Sequence, residues 1–188
     1  MRPRYVSGIV LFVAAFLLGF FSSGFFSESS NGDSLLLNYS QATVSFCPSL
    51  ECVSLPVSAL DSSRTRVWVA MYSFTNEDLA NALVRAHNRG VDVRVIVEKQ
   101  QAGSKYSQHE ELSAAGIPVR MDSNPNYMHD KFAVIDSDTL INGSMNWTGN
   151  GVSENNENVM IISSPELNEK FAQEFGKIWS ESDAFLVN

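Results

Sequence analysis

The sequence predicts an α/β fold, a mixed sheet flanked by helices forming one domain behind an N-terminal apolar helix, and three observations predict it. First, residues 66–97 read as an apolar run (66–74), an amphipathic stretch (77–88) closed by Arg89 and Gly90, and a second apolar run (91–97). Strand, helix and strand at this spacing form a βαβ unit with parallel strands. Second, residues 5–26 carry no charge, whereas the roughly 160 residues after them mix charged and apolar side chains. That is length enough for one domain with a substantial core. Third, a hydrophobic fraction of 44% with 18% charged residues describes a globular chain, not a disordered one.

Taken in order, Arg2 and Arg4 precede the charge-free segment 5–26, which as a helix would span ~33 Å, enough for a bilayer core. Two readings compete. One is an uncleaved anchor with the arginines cytoplasmic and the domain outside. The other is a signal peptide cleaved near Ser22-Ser23-Gly24, leaving the domain secreted or periplasmic. Phe25 and Phe26 extend the apolar run past that site and favour the anchor. Residues 27–42, rich in Ser, Asn and Gly, read as a tether, and the domain runs over 43–188, starting with a strand at 43–46. Cys47 and Cys52 are the two cysteines. They form a small-loop disulfide outside the cytoplasm or a pair of buried thiols, and without a histidine partner they fall short of a zinc site.

Strand 66–74 is apolar enough for burial on both faces. Thr75 or Asn76 caps the helix 77–88, whose apolar stripe is Leu79, Ala82, Leu83 and Ala86. A strand at 91–97, a second helix at about 104–115 and a strand at 117–121 follow. After residues 128–146 come a Gly/Asn-rich loop (148–156), a strand (158–163) and a final helix (165–182). Pro165 suits that helix's first turn, and Phe171, Phe175, Ile178 and Trp179 supply its buried face.

Residues 128–146 (MHDKFAVIDSDTLINGSMN) concentrate the chemistry. His129 and Lys131 stand two apart at the start of an apolar run, so on a strand they project to one side. An imidazole beside a compact ammonium suits a phosphate. Ser144 and Asn146, again two apart, can hydrogen-bond an anionic oxygen. Asp136, seven positions from His129, points to the opposite face of a regular strand and reads as structural support. The formal charge of −8, or −10 without Arg2 and Arg4, speaks against a broad nucleic-acid-binding surface but not against a local basic groove.

As a pattern the stretch is H-x-K-x4-D-x6-G-S-x-N, and it resembles the signature of the phospholipase D superfamily at every specified position. Six such matches arise by chance roughly once in 10^8 starting positions. Residues 70–76 (AMYSFTN) and Glu157-Asn158 also resemble family segments, and the likeness runs over about 43–182. A short chain with one signature is most similar to the Nuc-type endonucleases, which pair two copies as a homodimer. The lipid-acting members usually carry two signatures in a longer chain.

The resemblance implies that neutral His129 attacks phosphorus to form a phosphohistidine, while a protonated His129 of a second copy donates to the leaving oxygen. Lys131, Asn146 and Ser144 would bind non-bridging oxygens. Glu157 would hold the His129 ring. No metal or other cofactor is expected. The substrate is nucleic acid, single-stranded or non-specific, or alternatively a phospholipid or cardiolipin-like diester. An inert binding scaffold is the reading from another class. The family places a helix between the first two strands, and Pro56 is expected to interrupt it.

Other candidates have simpler readings. His87 and His109 read as solvated helix residues, and Trp147 as either a stacking platform or a core aromatic. Lys99, Lys105 and Arg120 line a phosphate groove or simply end strands and helices. Sequons start at Asn38, Asn142 and Asn146. The last two overlap the candidate site, where a glycan would block substrate, which favours a compartment without such glycosylation.

Overall fold

The computed structural model describes residues 41–185, so the expected anchor or signal segment (5–26) and most of the tether lie outside the described residues. The elements are β1 (Gln41–Cys47), α1 (Glu51–Ser62), β2 (Arg66–Met71), α2 (Glu77–Asn88), β3 (Asp92–Val97), α3 (Lys99–Ala102), α4 (His109–Ala114), β4 (Val119–Met121), β5 (Lys131–Ile135), β6 (Thr139–Gly143), α5 (Gly149–Ser153), β7 (Glu157–Ser163), α6 (Pro165–Glu181) and β8 (Asp183–Ala184). The first strand thus begins two residues inside the expected tether.

The strands form one sheet of eight, in the order β1-β7-β6-β5-β2-β3-β4-β8. β2, β3 and β4 run parallel, as the βαβ reading expected, and β5, β6 and β7 pair antiparallel to their neighbours. The C-terminal ends of β2, β3, β4 and β6 therefore meet the N-terminal ends of β5 and β7 along one end of the sheet.

Side-chain alternation divides the core into two layers. Val67, Val69, Met71, Ala133 and Ile135 pack with α1 and α2 on one face. Ala70, Phe132, Val134 and Leu140 pack with Ala172, Phe175 and Ile178 of α6 on the other. α2 begins where expected, with the Asn76 side chain accepting from the Leu79 N–H at 3.0 Å. At α6, Ser164 caps the Leu167 N–H and Pro165 occupies the first turn.

Four expectations are corrected. α1 continues through Pro56. A proline ring holds a φ compatible with a helix, and this one lies on the buried stripe Cys52, Pro56, Leu60, where packing offsets the hydrogen bond it cannot donate. The helix expected at 104–115 is confined to α4, and the separate one-turn helix α3 lies before that range and ends at Gly103. The loop expected at 148–156 contains α5, capped by Thr148 through the Gly151 N–H. His109 is buried, not solvated: its Nδ1 lies 3.0 Å from the Ser107 hydroxyl and its ring meets Phe185 edge-on. Burial pushes its pKa down. Of the two readings of the cysteines, the disulfide is the one formed, Cys47 to Cys52. No described helix is long and apolar enough to cross a membrane.

Candidate active site

His129 precedes β5, at the end of the sheet where β2, β3 and β6 finish. Its segment is tied down from both sides. The buried Glu98 carboxylate, at the end of β3, accepts the Met128 N–H at 2.8 Å. The Tyr72 N–H, just past β2, donates to the Asp130 carbonyl at 2.9 Å. The ring of Tyr72 lies 4.5 Å from that of His129, and Lys131 Nζ stands 5.1 Å over the same ring. Glu98 and Tyr72 escaped sequence reasoning. The available signal was that each directly follows a parallel strand, at the end of an α/β sheet where ligands bind.

Lys131 Nζ is 2.7 Å from the His129 carbonyl and 3.2 Å from His129 Nδ1. An ammonium only donates, so Nδ1 accepts here and the hydrogen of a neutral ring sits on Nε2. Burial pushes the Lys131 pKa down, opposed by the Asp130 and Glu157 carboxylates. Burial and the Glu174 charge push Asp130 up, opposed by Lys131 and His129.

Ser144 follows β6 and touches the start of β7. Its hydroxyl donates to Glu157 and accepts the Asn158 N–H at 3.1 Å. Gly143 permits this approach: a Cβ there would strike the Asn158 carbonyl. Glu157 also accepts from Asn155 Nδ2 at 3.2 Å. The structure pairs the Glu157 carboxylate with Ser144 and Asn155 and the His129 ring with Lys131, with β6 between their strands. Asn146 has a buried Oδ1 without a hydrogen-bond partner. Trp147 is core, edge-on to Phe74, and its carbonyl accepts the Thr75 and Asn76 N–H groups.

Asp136 lies at the other end of β5. Its carboxylate accepts the Thr65 N–H at 2.7 Å, the Thr65 hydroxyl at 2.8 Å and the Arg64 and Arg66 N–H groups. Burial opposes its charge, but these bonds outweigh it and hold the carboxyl below the usual range. Arg120 is committed to α6, donating to the Trp179 carbonyl and stacking on its ring. Lys99 and Lys105 line a separate hollow beside His109.

The geometry brings a nucleophile-capable imidazole, an ammonium and a Ser–Glu pair to one sheet end. Among the described residues no cluster of three or more His, Cys, Asp or Glu suits a metal ion. Residues 57–179 match the family model described as "Cardiolipin synthase, PLD-like domain". A mitochondrial cardiolipin hydrolase of Chlamydomonas reinhardtii is 41% identical over 120 residues, 64% of this chain and 54% of that protein. One of Danio rerio is 43% identical over 123 residues, 65% and 54% respectively. The chain thus spans about half the length of the curated relatives it matches. Among solved structures, the phospholipase D family member Nuc from Salmonella typhimurium superposes with a TM-score of 0.75 at 32% identity, covering 78% of this chain and 99% of that one. NucT from Helicobacter pylori gives 0.70 at 26%, covering 77% and 99%. Family match, fold and pattern agree: the chain belongs to the phospholipase D superfamily.

Proposed function

We propose that this protein is a metal-independent phosphodiesterase that cleaves nucleic acid through a phosphohistidine at His129. The observation that carries it is the pairing of His129 with Lys131 beside the Tyr72 ring, one of them able to form a covalent bond to phosphorus and the other a fixed positive charge. A diester oxygen entering this site draws the Lys131 ammonium from Nδ1 onto itself. Nδ1 then takes the ring hydrogen, and the Nε2 lone pair is freed to attack phosphorus. Lys131 and the Asn146 amide neutralise the oxygens as charge moves onto them. Ser144 and Glu157 hold that side of the site, and Asp136 supports the fold behind it.

The leaving oxygen needs a proton donor. The chain has three histidines; His109 is buried in a different hollow and His87 lies on α2. A homodimer in which the second copy's His129 serves as acid answers this need. An N-terminal anchor at 5–26, a tether after it and a catalytic domain outside the cytoplasm complete the proposed organisation.

Hydrolysis of cardiolipin-like diesters is the second reading, favoured by the printed names of the relatives. The test uses the full chain on labelled oligonucleotide and on cardiolipin vesicles, each with and without chelator. The expected result is chelator-resistant oligonucleotide cleavage that His129→Ala abolishes. Cleavage of vesicles alone would reject the nuclease reading, and full inhibition by chelator would reject the mechanism.

A further inference from the structure

One hollow is lined by His129 and a second by the adjoining Tyr72, and their walls differ in charge. The first, about 470 Å3, is lined by four carboxylates, Asp122, Asp130, Glu174 and Glu181, with Lys177 as its one lysine, and reaches His129. The second, about 670 Å3, begins at Tyr72, the ring against His129, and contains no charged side chain. Its walls include four primary amides, Gln101, Asn146, Asn150 and Asn155, and its far side is Tyr106. A polyanion is repelled from the first and not from the second.

Tyr106 is one of three exposed aromatic residues among the described ones, with Phe46 and Tyr127. It is 65% exposed, and the Lys105 ammonium stands over its ring, 4.7 Å from the centroid. An exposed aromatic ring with a cation over one face fits a nucleotide, with the base on the other face and a phosphate on the ammonium. Primary amides both donate and accept, which matches sugar hydroxyls.

We infer that the hollow between Tyr72 and Tyr106 is a nucleoside subsite, in which Tyr106 stacks the base of a nucleotide flanking the scissile phosphate. The inference rests on the nucleic-acid reading of the site and adds where the chain lies: across the uncharged hollow, away from the carboxylates. Stacking rather than base-edge readout makes the subsite tolerant of sequence.

The test is a double cycle of kcat/KM. Wild type and Tyr106→Ala cleave an oligonucleotide and the same strand carrying tetrahydrofuran abasic residues around the scissile phosphate. Tyr106→Ala is expected to lose at least about fivefold on the intact strand and little on the abasic one, while Tyr106→Trp retains wild-type activity. An exposed side chain is removed, so folding is preserved, and circular dichroism checks it. Equal activity of wild type and Tyr106→Ala on the intact strand overturns the subsite while leaving the nuclease reading standing. Wild-type cleavage of cardiolipin vesicles with none of the oligonucleotide overturns the nuclease reading itself, and the subsite with it.

Discussion

Removing Asp136 should destabilise the protein without touching the chemistry, although Asp136 belongs to the same sequence pattern as His129. Its carboxylate accepts four hydrogen-bond donors from residues 64–66, at 2.7 to 3.2 Å. The two shortest, both from Thr65, are worth about 1 kcal/mol each after water replaces them, and the two longer together about 1 kcal/mol. Asp136 also has φ +49°, a left-handed conformation that alanine tolerates less well by about 1 kcal/mol. Asp136→Ala should therefore lose about 3–4 kcal/mol. Asp136→Asn keeps an acceptor and tolerates that φ, and should lose about 1–2 kcal/mol.

Against a typical stability of about 5–15 kcal/mol, both variants still fold. Urea titration measures the differences. The sign with pH follows from a carboxyl held below its usual 3.8. Its stabilisation is fully present above the unfolded value and is lost as pH falls through the folded one. The gap between wild type and Asp136→Asn should thus narrow below about pH 4. Asp136 is one strand length, about 17 Å, from the site, so kcat of folded Asp136→Asn should stay within about twofold of wild type. A folded variant with a kcat loss above about tenfold, or one with unchanged stability, would refute the assignment.

Lys131→Met should lose about 10^2 to 10^3 in kcat yet melt no lower than wild type, since burial disfavours the lysine's charge; a marked drop in melting temperature would contradict this. In wild type, the alkaline limb of kcat/KM should fall below the ordinary lysine value of 10.5, for the same reason. His109 is held neutral, its pKa below 6.5. On acidification the unfolded chain binds that proton first, so stability is full above 6.5 and is lost as pH falls towards the folded value. His109→Gln should flatten this slope in urea midpoints between about pH 7.5 and 5.5, and identical slopes would reject the burial account. Reducing Cys47–Cys52, which closes a loop of sequence separation 5, should cost about 2 kcal/mol by loop entropy; an unchanged melting curve with dithiothreitol would contradict it.

By itself the sequence determined the parallel βαβ unit, the starts of α2 and α6, and the spacing of His129, Lys131, Ser144 and Asn146 along one stretch. Each of these depends on periodicity, capping or spacing within a few residues, which the chain order records directly. What only the tertiary structure decided depends on which strands become neighbours. β5 enters between β2 and β6. That placement brings Asp136 to the turn at 64–66, some 70 residues earlier. It sets Tyr72 against His129 and leaves Glu157, one strand further out, to Ser144. The burial of His109 against Phe185 and of Trp147 against Phe74 follows from the same long-range packing. Side chains choose partners by proximity in space, and for these residues that proximity is created by the sheet order.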